Sequence, residues 1–334
     1  MNRVVFFIVS IDTECDKSID WSIPYPISFR NIYEGVAEKL QPMLDGYKIK
    51  PTYLLSPEVM YNEESVSYFK SIQDRCELGT HLHGEFIDPD KVQNPRWTND
   101  FQSDYNETLE REKLRTLTEL FKIKFGYMPK SFRAGRFGIG QNTWRILAEL
   151  GYSVDSSLLP FNIIKTGKAT YNFYYTPVKP FYPDVQNWMN FGKQETCKIL
   201  HVPMTVHNWL FQRIPFFIGK PLSEQNEIRK FSRILFAKKR EKTYSLRPRV
   251  TNADSLITLI KNHIKIHNAH EPIVLNMMFH SNELQSGASP YAQSPLEVDQ
   301  IISTIRYTLD YLYGCHSVHS IGLSDSTQYY GRDI

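Results

Sequence analysis

Apolar runs of strand length alternate along this chain with stripes of helical period. Residues 4–11 form a continuous apolar run, the pattern of a buried strand; Ile32, Val36, Leu40 and Leu44 then recur every four residues, the stripe of a core-facing helix. Short strands are predicted over 52–55 and 77–80, with a helix over 65–72 between them. Ser103 is the expected N-cap of a long helix running to Phe125, with Leu109, Leu117, Leu120 and Phe121 as its apolar contacts and Gly126 just past its end. A strand over 131–134, a helix from Asn142 to a stop at Gly151, and a strand opening at 152–154 continue the rhythm. Two further strands, 200–202 and 273–279, are flanked by helices at about 254–266 and 295–313.

Repeated strand–helix units imply a parallel sheet in an α/β protein. Either an open doubly wound sheet or a barrel satisfies the pattern. A barrel is preferred, because it gathers the carboxyl ends of all strands at one mouth, and the chemically unusual residues fall there. The 334 residues fit one such unit, so 1–334 is read as a single domain. Between 204 and 251 the alternation lapses, which predicts an inserted segment or lid.

Those unusual residues come in clusters. Asp12-Thr13-Glu14 and His81-Leu82-His83 each follow an apolar strand, and alternation along an extended chain puts Asp12 with Glu14, and His81 with His83, on common faces. Carboxylates and neutral imidazoles are ligands for a divalent ion, and a spare carboxylate beside the ion can take a proton from water. Arg133, in Phe132-Arg133-Ala134-Gly135-Arg136, places a permanent charge where it could hold a carboxylate ionised or form a structural ion pair. Asp155 follows the strand at 152–154, and His280 ends the strand at 273–279 with Glu283 close behind. A histidine in such a position suits proton delivery to a leaving amine near neutral pH.

In this order, Asp12-Thr13-Glu14, Gly79-Thr80-His81-Leu82-His83, Arg133-Ala134-Gly135-Arg136, Tyr152 to Ser157 and Phe279-His280 resemble the polysaccharide deacetylases with a NodB-homology domain, related to carbohydrate esterase family 4. The resemblance spans roughly residues 4 to 322. It implies a distorted (β/α) barrel, a divalent metal ion such as zinc, and hydrolysis of an N-acetyl or O-acetyl group on a sugar of a surface polysaccharide or its precursor. It also implies roles: Asp12 as catalytic base, Glu14 and His81 as metal ligands, Arg133 as the residue orienting the base, and His280 as general acid. Arg136, Asp155, Glu283 and Trp209 are expected in substrate binding or in support of these groups.

The chain departs from the family pattern twice. Glu14 follows Asp12 at a distance of two where adjacent aspartates are usual, and Glu85 stands at the spacing of the usual second histidine while a histidine occupies position 83. The third ligand is therefore His83 or Glu85, with His83 preferred because His-x-His puts both rings on one side of a strand.

Composition narrows the partners. Hydrophobic residues at 41% and aromatics at 13% support a large core, and 39 basic against 36 acidic residues give no general attraction to nucleic acid or membrane. The expected partner is an acetylated sugar, oligosaccharide or glycan precursor. Cys15, Cys76, Cys197 and Cys315 form no CxxC pair and read as thiols of a reducing compartment; the apolar run at 4–11 is too short to span a bilayer, so a cytoplasmic location is expected, with peripheral membrane contact left open. The 204–251 segment interleaves Trp209 and Phe211 with Arg229, Lys230, Arg233, Lys238, Lys239, Arg240, Lys242, Arg247 and Arg249. It reads either as a solvated amphipathic face or as a lid whose cations meet an anionic glycan precursor. The competing functional readings are a glycosidase, which would need no metal, a carbohydrate-binding module with a decayed metal site, and an amidohydrolase acting on a non-sugar amide.

Overall fold

The computed structural model describes residues 3–96, 100–184, 197–208, 211–214, 218, 243–269 and 271–330. Its centre is a curled parallel sheet. Strand β1 (Val4–Thr13) pairs along one edge with β11 (Ile273–His280); its other edge takes β12 (Ser317–Ser320) at the start and β2 (Thr52–Leu55) at the end. From β2 the sheet continues through β3 (Glu77–Leu82), β4 (Ser131–Ala134), β5 (Val154–Asp155) and β8 (Leu200–His201), all parallel. This is a half-barrel with helices outside, a distorted (β/α) barrel as expected. Its open side, between β8 and β11, is bridged by single hydrogen bonds: Thr205 N–H to the Asn276 carbonyl, Leu246 N–H to that of Thr205, and Met278 N–H to that of Leu246.

The period-2 logic of strands explains why β1 and β11 are apolar throughout yet carry chemistry. Val5, Phe7, Val9 and Ile11, with Leu275, Met277 and Phe279, pack outward in the main core against the helices. Ile8, Leu54, Val154, Leu200, Val202 and Val274 form a smaller cluster filling the barrel interior. Ser10 and Asp12 continue the inward row above Ile8, and Asn276 and His280 that above Val274. Polar residues on these strands thus face the carboxyl mouth above an apolar floor.

Most elements lie where the pattern places them. The four-residue stripe is a helix, but Asn31–Leu40 is wound in π fashion before an α-turn over Gln41–Gly46; the N–H of Gln41 reaches the carbonyl of Val36, five residues back. Ile32, Val36, Leu40 and Leu44 are all fully buried. Gly35 lets this helix sit on the turn after β11, since a Cβ there would lie 2.8 Å from that of Leu284. The long helix is Glu107–Phe125, and its cap is Asn106, whose side chain accepts from the Leu109 N–H, in place of Ser103. Ser103 lies in a short preceding turn, Gln102–Asp104. Gly126 ends the helix at φ 83°, the left-handed conformation glycine tolerates. Further α-helices among the described residues include Pro57–Tyr61, Glu63–Ser71, Thr143–Glu149, Ala253–Lys265 and Pro295–Cys315.

Two antiparallel hairpins stand outside the main sheet: β6 (Ile163–Lys165) with β7 (Thr170–Asn172), and β9 (Val206–Asn208) with β10 (Thr243–Ser245). The second joins the two ends of the expected 204–251 insertion. Trp209 and the basic run from Arg229 to Lys242 lie outside the described residues. No helix among the described residues is long and apolar enough to cross a membrane.

Candidate metal centre and proton-transfer groups

Strand register assembles the site. Asp12 pairs with His280 across β1 and β11, and His81 with Arg133 across β3 and β4, so four chemically active residues meet at one mouth although up to 268 positions separate them. The separation is 280 − 12.

Glu14, His81 and His83 form one buried group. Their ligand-type atoms all lie within 4.8 Å of one another: the Glu14 Oε1 is 3.4 Å from His81 Nε2 and 3.3 Å from His83 Nε2, and the two ring nitrogens are 3.2 Å apart. The other ring nitrogen of each histidine faces an acceptor. His81 Nδ1 lies 2.9 Å from the Arg133 carbonyl and His83 Nδ1 lies 3.3 Å from Glu85 Oε1. A proton on each Nδ1 leaves two imidazole lone pairs and a carboxylate oxygen pointing at one another, which is repulsive unless a cation lies between them. The donor chemistry of these three residues therefore fits a divalent ion. In its absence a proton takes the cation's part: burial pulls His83 down, but the Glu14 and Glu85 carboxylates outweigh it and raise the ring to about 9. Burial likewise opposes ionisation of Glu14, and His83 and Lys17 reverse that, holding its carboxyl well below the usual range.

Glu85 turns away from this group. Its Oε1 takes a 2.6 Å hydrogen bond from Arg136 besides facing His83 Nδ1. Burial would raise its carboxyl, yet His83 and Arg136 hold it well below the usual value. The loop carrying it is clamped from outside by Lys113, which donates to the carbonyls of Gly84 (2.8 Å), Ile87 (2.9 Å) and Pro89. Arg136 and Phe137 both adopt left-handed backbone, φ 56° and 54°, an uncommon conformation for residues with side chains. Gly135 permits this close approach: a Cβ there would sit 2.5 Å from the Leu82 carbonyl and 3.2 Å from the His83 ring.

Asp12 is held by Arg133. The guanidinium donates to Asp12 Oδ1 at 2.5 Å, to Ser10 Oγ and Ser156 Oγ at 2.8 Å each, and to the Ser156 carbonyl at 2.9 Å. Beneath it Ser10 donates to Asn276 Oδ1 at 2.7 Å and Ser156 to the Val202 carbonyl at 2.6 Å. Arg133 is fully buried, and a buried cation survives only when paired and bonded in this way. Burial resists charge on Asp12, but Arg133, His81 and His280 together lower its carboxyl below the usual range. The free oxygen, Oδ2, lies 3.9 Å from His81 Nε2 and 3.8 Å from His280 Nε2.

His280 presents Nε2 to the same space, 3.7 Å from Glu14 Oε1, while its Nδ1 is 3.1 Å from Glu283 Oε1. Glu283 in turn pairs with Arg247. Burial opposes its ionisation, and Arg247 with His280 depress the carboxyl to about 2.

Asp155 stands apart. Fully buried, it accepts from Trp144 Nε1 at 2.9 Å and from Ser157, and meets His201 Nδ1 at 2.8 Å. Through Ser157, whose hydroxyl accepts the Ala134 N–H, it ties β5 to the strand end that carries Arg133.

Several site residues had no motif to announce them. Lys17 is buried beside the metal group, 3.4 Å from Glu14 Oε2. Ser10 and Asn276 offered a signal, each being a polar residue on the inward row of an apolar strand, two and four positions before Asp12 and His280.

No protein-family model matches the sequence, and no curated protein matches it. Among solved structures, the chain is similar to a probable polysaccharide deacetylase from Pseudomonas aeruginosa PAO1 (14% identity over 99% of this chain and 91% of that one, TM-score 0.54). It is similar also to a branching enzyme of glycoside hydrolase family 57 from Pyrococcus horikoshii (9%, 98% and 71%, TM-score 0.53) and to Puue allantoinase (13%, 99% and 92%, TM-score 0.52). At such identities the likeness is one of fold, and its substrates do not transfer with it. Sheet and likeness agree on one conclusion: the chain has a distorted (β/α) barrel fold of the NodB type, like that of the polysaccharide deacetylase above.

Proposed function

We propose that the chain is a metal-dependent deacylase that removes an acetyl group from a sugar, oligosaccharide or glycan precursor. The observation that carries this reading is the convergence of Glu14, His81 and His83 with two further groups of opposite proton function, Asp12 and His280, within 4 Å. Glu14, His81 and His83 would hold a divalent cation, zinc by its preference for imidazole and carboxylate, which polarises an acyl carbonyl and lowers the pKa of water. Asp12 Oδ2, its partner oxygen pinned by Arg133, accepts a proton from the attacking water. His280 Nε2 gives a proton to the departing sugar nitrogen or oxygen, with Glu283 and Arg247 fixing the ring through Nδ1. Glu85 and the Arg133 carbonyl orient the two metal-facing rings, and Arg136 steadies Glu85.

A decayed binding module would have no need of all five residues, and the proximity of Glu14, His81, His83, Asp12 and His280 supports a reacting site instead. A glycosidase would leave the paired imidazoles without use. Unpaired thiols at Cys15, Cys76, Cys197 and Cys315 support action in a reducing compartment, the cytoplasm.

The test is acetate release from acetylated nucleotide sugars, chito-oligosaccharides and lipid-linked glycans, with a non-sugar amide beside them, before and after chelation and zinc restoration. Chelator-sensitive release from a sugar, lost in Asp12→Asn, is expected. Release from the non-sugar amide alone, or a purified chain without stoichiometric metal and without activity, would overturn the reading.

A further inference from the structure

Beside His280 the described structure carries an aromatic and cationic surface of which the proposed chemistry uses Arg247 alone. Trp21 packs its indole on the His280 ring, centroids 5.4 Å apart, and meets Tyr291 edge-on at 5.5 Å. The Arg249 guanidinium lies 4.0 Å from the centre of the Tyr291 ring, and that of Arg247 lies 4.7 Å away. All four side chains are partly exposed, so this is the rim of the site and not its core. The loops bearing Trp21 and Tyr291 are joined by a hydrogen bond from the Lys17 N–H to the Ala288 carbonyl, 2.9 Å. Trp21 is held at φ 67°, a left-handed conformation rare for a bulky residue.

The two arginines differ in one respect. Arg247 is neutralised by Glu283, whereas the Arg249 guanidinium makes no ion pair or hydrogen bond among the described residues; its hydrogen bonds, with Asn252 and Thr304, are through the backbone. Among the described residues the rim thus carries one uncompensated, stacked cation. Arginine held flat on an aromatic ring keeps its N–H edges free for a carboxylate or phosphate.

We infer that the leaving-group side of this site binds an anionic glycan: a sugar on the faces of Trp21 and Tyr291, and a carboxylate or phosphate on Arg249. The inference rests on the proposed reaction, because the group that His280 protonates is the sugar, which must therefore lie against His280 and its aromatic neighbours. Neutral sugars would use the stacking surface alone.

Three probes separate the possibilities: a neutral N-acetylglucosamine tetrasaccharide, a tetrasaccharide alternating N-acetylglucosamine with glucuronate, and UDP-N-acetylglucosamine. Both equilibrium binding and acetate release are measured, on the full chain with zinc. The wild type should prefer at least one charged probe, and Arg249→Gln should cut that charged-to-neutral preference about tenfold, chiefly in Kd and KM. Arg249→Lys should recover part of it, and the exposed Lys122→Gln should leave the ratio as it is. Added salt should erode the preference in the wild type and much less in Arg249→Gln. Preference for the glucuronate probe identifies a carboxylate site, and preference for the nucleotide sugar a diphosphate site. Equal binding of charged and neutral probes, or a preference unchanged in Arg249→Gln, overturns the inference. Arg249-dependent binding without acetate release from any probe would instead overturn the deacylase reading and leave the anion site standing.

Discussion

At the scale of single residues, the two histidines do different work from the acids around them, and substitutions should separate them. His83→Ala removes a ring that faces Glu14 and His81 directly and should abolish stoichiometric zinc binding. Glu85→Gln keeps the hydrogen bond to the ring but loses the charge; zinc affinity, read by competition with a chelator, should fall about 10- to 100-fold. Equal loss in both would put Glu85 on the metal. Arg133→Met strands Asp12 as a buried carboxylate and removes a donor from Ser10 and Ser156, so chemical denaturation should show a loss of about 3–5 kcal/mol. For His280, the chemistry of the leaving group discriminates. His280→Ala should slow acetamide hydrolysis by about 10²- to 10⁴-fold, yet leave 4-nitrophenyl acetate cleavage nearly intact, because nitrophenolate departs without a proton. Equal loss on both substrates would count against proton donation. The pairs that make these effects were half legible: His-x-His shares a face by strand geometry alone, but nothing local to Asp12 reveals a guanidinium 121 positions away.

Elements were read better than their ends. The strands over 52–55 and 131–134 match in full, and β1, β3 and β11 run one or two residues further than their apolar runs, because register continues through Asp12, His81 and His280 once a partner strand lies alongside. Capping was harder to place. Ser103, Asp104 and Asn106 all offer cap-forming side chains ahead of the long helix, and only the fold shows Ser103 spending its N–H on Gly138 while Asn106 takes the Leu109 N–H. Asn106→Ala should cost about 1 kcal/mol in thermal or denaturant unfolding, and Ser103→Ala nearly nothing, since the Ser103 hydroxyl has no partner. Comparable losses would mean the cap is misassigned. The stripe at 32, 36, 40 and 44 announces a buried helix face, but neither its π winding nor the close approach of Gly35 to Leu284 has a signature in that spacing.

For the whole molecule, acid should be a sharp stress. His207, His263 and His267 are buried on the flank formed by β9 and the Ala253–Lys265 helix. Burial, then His267, His207 and Lys179, lower His263 to about 3, and burial lowers the other two as well. Depressed histidines stay neutral in the folded chain while the unfolded chain binds protons below its usual pKa of about 6.5. His263 therefore costs the folded state stability as pH falls from 6.5 toward 3, by up to about 1.4 kcal/mol per pH unit, and His207 and His267 act in the same direction. His263→Leu should flatten the pH dependence of unfolding free energy across that window; an unchanged slope would show that the ring is not neutral in the native state.

Periodicity is a local property of the chain, so most strands of the parallel sheet, the main helices, and the faces on which Asp12, Glu14, His81 and His83 lie are legible in the sequence, whereas β12, the β6–β7 and β9–β10 pairs and the Pro57–Tyr61 helix are not. How those faces meet is a matter of tertiary contact. Curling the sheet brings Arg133 to Asp12, turns Glu85 outward onto Arg136, sends Asp155 to His201 and Trp144, and sets Trp21, Tyr291 and Arg249 beside His280. Most of these contacts join residues far apart in the chain; no helix- or strand-length window contains both halves of the Asp12–Arg133, Glu85–Arg136 or Asp155–His201 contacts, which follow from strand order and register and from the requirement that buried charges find partners.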